Sequence, residues 1–207
     1  MDNKEIILEQ IPSISYDPSI TYTDQLKMSY IDLVSHLIAK YGPANGNYFL
    51  TETCKSKNPK ITRGKEGLFC HHIDENKAIK LSKPEFAIKY PFAYQKAERL
   101  VYCDILEHLI LHIKIFEEAK EELLGIGGAS LICRQINDCY SGMTFTKPFM
   151  ISVSEKIKDK LVDYIKILQR LFDLIKKDPL YPTLISKESI CKSYDGKIIK
   201  KIYDALK

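Results

Sequence analysis

Nothing in this 207-residue chain approaches the roughly 18 uncharged apolar residues that a membrane-crossing helix needs. The opening MDNKEIILEQIPS has neither a cationic start nor an apolar signal core, so a cytoplasmic protein away from any membrane is expected. The six cysteines, Cys54, Cys70, Cys103, Cys133, Cys139 and Cys191, are scattered and form no C-x-x-C pair. That argues against a disulfide-stapled secreted scaffold and a cysteine-rich zinc site, and leaves thiols expected to be reduced and mostly buried. There is no internal repeat and no low-complexity tract. The Gly-rich stretch GIGGAS lacks the Lys-Ser/Thr of a phosphate-binding loop and follows a helical pattern, so it reads as a helix C-cap and turn. What remains is 45% hydrophobic, enough to bury a real interior, with a net charge of +4 that mildly favours a polyanionic partner without naming one.

Histidine is scarce, and its placement carries information. Four of the five histidines lie between residues 67 and 115. His71 and His72 end the apolar run GLFC, which reads as a strand. RLVYC, residues 99 to 103, is β-branched and aromatic and reads as a second strand. His108 and His112 then fall four apart in ILEHLILHIKIFEEAKEELL, where apolar residues recur at helical spacing, so both imidazoles project from one face and can hold one metal ion. Glu107 falls about a hundred degrees off that face and reads as surface. His36, alone on an apolar helix, reads as a packed or partly exposed histidine with no role in a site.

This order of strand with His-His, strand, and helix with His-x-x-x-His resembles the HNH nucleases, also called His-Me finger or ββα-metal nucleases. It is most similar to the His-rich variant of the nuclease colicins. There an Asn opens the second strand and the helix histidines follow it by nine and thirteen residues. Here Arg99 holds the Asn position, and His108 and His112 stand at those offsets. The resemblance covers about a quarter of the chain. It implies that His71, His108 and His112 bind one divalent metal ion and that His72 is the general base of phosphodiester hydrolysis. It also implies products with a 5′-phosphate and a 3′-hydroxyl. Three imidazoles favour zinc or nickel, while magnesium or manganese can serve in catalysis.

The departure is Arg99, grouped here with the catalytic residues. A guanidinium has donors but no acceptor, so it cannot brace the loop and the base as Asn does. Arg99 is expected either to bind a substrate phosphate or to pair with Asp74 or Glu75. Those two carboxylates could also orient an imidazole or join the coordination. Arg63 and Lys65, in a basic turn-rich stretch before the first strand, are candidate phosphate contacts. Cys70 and Cys103 adjoin the two strands and are the rival ligands of a structural Cys/His zinc site.

The expected fold is α+β and mostly helical, a single domain over 1–207 with a two-stranded antiparallel ribbon and metal-binding helix embedded among flanking helices. Residues 1–62 form an arm and a helix over TDQLKMSYIDLVSHLIAKYG. Residues 63–124 form the core, with an insertion at 74–98 containing short helical turns. Residues 125–207 are helical, with one long amphipathic helix from Ser154 to Asp178-Pro179 and a last helix broken at Gly196. The long helix offers either an intramolecular core or a homodimer seam. The aromatics of the insertion, Phe86, Tyr90, Phe92 and Tyr94, are expected to cover the core. The functional expectation is a DNA endonuclease acting on the duplex. A nuclease toxin or defence effector acting on DNA or RNA, and a noncatalytic zinc-stabilised binding module, are the alternatives.

Overall fold

The ribbon at the centre of the sequence motif decides how the rest of the chain is arranged. In the computed structural model, which describes residues 8–119, 124–176 and 197–206, Phe69–His72 (β1) pairs antiparallel with Leu100–Cys103 (β2). The register sets Phe69 opposite Cys103, Cys70 opposite Tyr102, His71 opposite Val101 and His72 opposite Leu100. Side chains alternate across a strand, so this register sorts the ribbon into two faces. Phe69, Val101 and Cys103 join a large core, and His71 shares their face. Cys70, Leu100 and Tyr102 join a second, smaller core with Tyr48, Phe49 and Ile61, and His72 shares that one.

The large core is helical. Helix α4, Ile105–Glu118, follows β2 directly, because Asp104 caps it: the carboxylate accepts from the Leu106 and Glu107 N–H groups, and Glu107 reaches back to the Asp104 N–H. Around α4 pack α2 (Tyr30–Tyr41), α5 (Ile126–Tyr140) and α7 (Leu161–Ile175). Covered on several sides, α4 is buried almost all round; Leu109 and Ile110 are wholly inaccessible. Truncating either to Ala removes about 2–5 kcal/mol.

The fold is therefore mostly helical with one two-stranded antiparallel sheet among the described residues, in line with the α+β expectation. Several boundaries differ from it. The helix expected over 23–42 is two: α1, Tyr22–Gln25, capped by Thr21, and α2, capped by Ser29, whose hydroxyl accepts from the Asp32 N–H. It does end at Gly42, as expected. GIGGAS is not a C-cap: Gly125, at φ +82°, precedes Ile126 and opens α5. The long helix expected from Ser154 is also two, α6 (Pro148–Ile157) and α7, parted at 158–160. Pro148 suits the first turn of α6 because its missing N–H would have been unpaired there. Val153 and Ile157 of α6 and Tyr164, Leu168 and Leu171 of α7 all face the same core, so the apolar stripe runs through the bend and periodicity hides it.

The insertion holds a short helix α3, Pro84–Ala87, and single 3₁₀ turns at Phe92–Gln95 and Ala97–Arg99, as expected. Its four aromatics are half-buried, and Phe92 packs on the smaller core. The stop at Asp178-Pro179 and the first part of the last predicted helix lie outside the described residues; Lys197–Ala205 is helical. No described helix is long and apolar enough to cross a membrane.

Candidate metal centre

Three histidines from two elements meet. His71 reaches across from β1 to His108 and His112, which stand one turn apart on α4. The ring centroids are 5.3 Å (His71 to His108), 5.1 Å (His71 to His112) and 5.0 Å (His108 to His112) apart. Each offers a nitrogen, and these donor atoms lie within 4.8 Å of one another. The Nδ1 atoms of all three are buried without a hydrogen-bond partner. That of His112 faces the start of α5, whereas that of His71 looks toward Glu75 and the other rings, and a buried polar atom left unsatisfied there marks a place suited to something else.

The surrounding hydrogen bonds fix which nitrogen faces inward. Tyr30 Oη donates to the Ile73 carbonyl at 2.8 Å and so receives the Nε2–H of His71 at 3.0 Å. The lone pair of His71 is thereby left on Nδ1, and the ring is held from behind, as metal-binding imidazoles require. His112 is fixed differently. A Cβ placed on Gly128 would fall 2.3 Å from His112 Nδ1 and 2.2 Å from Cε1, so the first turn of α5 presses on that edge and turns Nε2 toward the cluster. Gly125 is pressed as hard, a Cβ there falling 2.4 Å from the His112 carbonyl oxygen. The glycines of GIGGAS let α5 close on α4.

A carboxylate stands at the same point. Glu75, in the 3₁₀ turn Ile73–Asn76 after β1, places Oε2 3.6 Å from His71 Nδ1 and 3.4 Å from His112 Nε2. Its Oε1 lies 4.0 Å from His72 Nδ1. Burial pushes the Glu75 carboxyl up to about 8 and the His112 imidazole down to about 4, and drives His71 and His108 well below the usual histidine range. At neutral pH the three rings are neutral, which is the state a metal ion needs.

His72 faces the other core and is 1% exposed. Its Nε2 meets Gln95 Oε1 at 2.9 Å, while Gln95 Nε2 donates to the Leu81 carbonyl at 3.2 Å. The amide is thus oriented with its oxygen toward the ring, and His72 carries its proton on Nε2 with the lone pair on Nδ1, the side of Glu75. Tyr48 packs against the ring at a tilt of 49°, 4.3 Å between centroids, and Lys57 stands over Tyr48 at 4.4 Å. Burial holds the imidazole down, to about 4.

Arg99 takes one of its two expected roles. Its Nε and one terminal nitrogen each donate to Asp74 at 2.7 Å, and the other donates to the Glu9 carbonyl at 2.8 Å, so the pair locks the turn that carries Glu75. The work expected of an Asn is divided here: Arg99 braces the loop and Gln95 orients His72. Arg63 is engaged by Glu66 and the Tyr41 carbonyl, whereas Lys65 is exposed. Of the two readings open for His36, packed or partly exposed, the structure shows the packed one, at 1% exposure. Glu107 is not on the surface: it is wholly buried, taking Lys40 at 2.5 Å and the Tyr41 hydroxyl at 2.9 Å. Neither Cys70 nor Cys103 belongs to the group of donors.

No known family model, curated protein or solved structure matches the chain.

The donor set suits a divalent ion. Among the described residues this is the group that could hold one, with nitrogen lone pairs converging and no competing cation among them. Tyr30 and Gln95 were silent in the sequence, and Gly128 lay in GIGGAS, which read as a C-cap and turn.

Proposed function

We propose that the chain is a metal-dependent endonuclease of the HNH type, hydrolysing phosphodiester bonds of double-stranded DNA. The ribbon β1–β2 with α4 is then its ββα-metal finger. The observation that carries this reading is the convergence of His71, His108 and His112, with donor atoms within 4.8 Å, at offsets that resemble the His-rich HNH pattern. When bound, the ion supplies Lewis acidity at a phosphate oxygen and offsets charge on the departing oxygen. The chain supplies the rest. His72 accepts a proton at Nδ1, and Gln95 holds the tautomer that leaves this atom free. The positive charge that His72 gains is offset by Glu75, 4.0 Å away. Lys57, exposed beside the tilted Tyr48–His72 contact, is placed to meet a backbone phosphate. Zinc or nickel fits the nitrogen donors best.

One observation favours a second reading, a noncatalytic zinc-stabilised nucleic-acid-binding module: at 1% exposure His72 is closed off from the water it would have to activate. A nicking assay on supercoiled plasmid with magnesium, manganese, nickel and zinc, with RNA in parallel, separates the two. Cutting by the wild type that falls on the order of 10²–10⁴-fold in His72→Ala, with metal retained, supports the nuclease. Metal binding without cleavage of either polymer supports the module, and cleavage of RNA alone points to an RNA-directed effector.

A further inference from the structure

We infer that Glu75 is a fourth protein ligand of the ion, so that the site without substrate is a closed tetrahedron of three imidazoles and one carboxylate, entered by a phosphate oxygen only through displacement of this carboxylate. The inference rests on the metal reading above and deepens it.

The distances argue for it. In a tetrahedral zinc site with bonds of about 2.0–2.1 Å to nitrogen and oxygen, neighbouring ligand atoms stand about 3.3 Å apart. Glu75 Oε2 is 3.4 Å from His112 Nε2 and 3.6 Å from His71 Nδ1, so two edges of that figure are already near their length. The three imidazole donors, spread over as much as 4.8 Å, draw together by comparison. Both separations from Glu75 are too long for good hydrogen bonds. His71 Nδ1 carries a lone pair, because its Nε2–H is spent on Tyr30. In the metal-free chain the buried Glu75 carboxyl keeps its proton at neutral pH yet stands too far from His71 Nδ1 for a good hydrogen bond, and a cation taking the place of that proton gives both groups a partner.

The placement is also built. Asp74, the residue before Glu75, is anchored by two bonds of 2.7 Å to Arg99, so the turn cannot drift. The ion-pair partners of Glu75 among the described residues are His71, His72 and His112, with no lysine or arginine. A carboxylate this enclosed ordinarily has a cation beside it. Here the cation is the one the imidazoles hold. The ligand set becomes three nitrogens and one oxygen, still suited to zinc, cobalt or nickel.

Cobalt(II), whose visible absorption is intense when four-coordinate and weak when six-coordinate, reads the ligand count directly. In full-length protein we expect one equivalent to give the intense spectrum. In Glu75→Gln the affinity falls tenfold or more and the spectrum changes, weakening where more than one water enters and the ion expands beyond four ligands, while Glu75→Asp recovers part of both. His108→Ala calibrates the loss of an imidazole donor, and circular dichroism checks the fold. If Glu75→Gln binds cobalt with unchanged affinity and spectrum, the fourth ligand is wrong and the three-histidine site stands. If the wild type takes up no cobalt, the metal reading itself falls. Should Glu75→Gln not fold, the wild-type spectrum decides: a six-coordinate ion overturns the inference.

Discussion

Helix α4 carries two buried polar clusters one turn apart, and they are opposites. At its start, Asp104 and Glu107 are fully enclosed, and their oxygens are taken up by Tyr22, Tyr41, Lys40 and three backbone N–H groups. One turn on, His108 and His112 meet His71 with three Nδ1 atoms unpaired and a carboxyl that has only imidazoles beside it. The first cluster is complete in itself, and its work is to start the helix and pin α2 to it. The second, on the reading proposed above, is completed by an ion. Satisfaction of hydrogen-bonding capacity, more than burial or charge, separates a polar group that holds a fold from one that waits for a ligand.

The largest expected effect lies in the satisfied cluster. Glu107→Ala strips Lys40 and Tyr41 of their partner and opens the capping box. It should cost about 3–5 kcal/mol in urea unfolding, by the same amount with and without zinc. A loss that zinc rescues would mean the two clusters are not independent.

Acid acts on the other cluster. With His72 held at about 4 and His71, His108 and His112 also lowered by burial, the folded chain binds fewer protons than the unfolded one below the ordinary histidine value near 6.5. Metal-free protein should therefore lose stability as pH falls from about 6.5 toward 4, by on the order of 3 kcal/mol for His72 alone. Glu75 works in the opposite sense: raised to about 8, its contribution is lost as pH rises from about 4.5 through 8. Bound zinc, by ionising Glu75, should remove that alkaline decline. Urea midpoints across pH, with and without zinc, check both limbs.

Smaller and more local is Gly128→Ala. Its methyl would overlap the His112 ring, so calorimetric zinc titration should show affinity lowered about 10–100-fold, with only a modest change in the stability of the metal-free protein. Smallest of all, Cys70→Ser with Cys103→Ser should leave zinc stoichiometry at one and its affinity unchanged. A loss of zinc would restore the Cys/His site as the better account.

The ribbon, helix α4 and the histidines that meet were legible because strand alternation and helical spacing are local periodicities that burial on one side imposes on the sequence. Arg99 was legible as a departure, and its partner Asp74 was one of two named. What stayed hidden depends on where the chain bends or on what a distant segment supplies. Two helices facing one core, α6 and α7, share a stripe that runs through their junction. Glu107 read as surface because helical angle places it off the histidine face, yet α2 arrives there with Lys40 and Tyr41. Gln95 and Tyr30 lie 23 and 41 residues from the histidines they orient, a separation that no local pattern encodes.

The most direct test of the account is a zinc titration of the full chain followed by calorimetry, wild type beside His71→Ala, His108→Ala and His112→Ala. The account predicts one ion per wild-type chain and a loss of binding in each of the three variants, although His71 comes from a strand and the other two from a helix. Binding that survives removal of any one of the three without loss of affinity would contradict it.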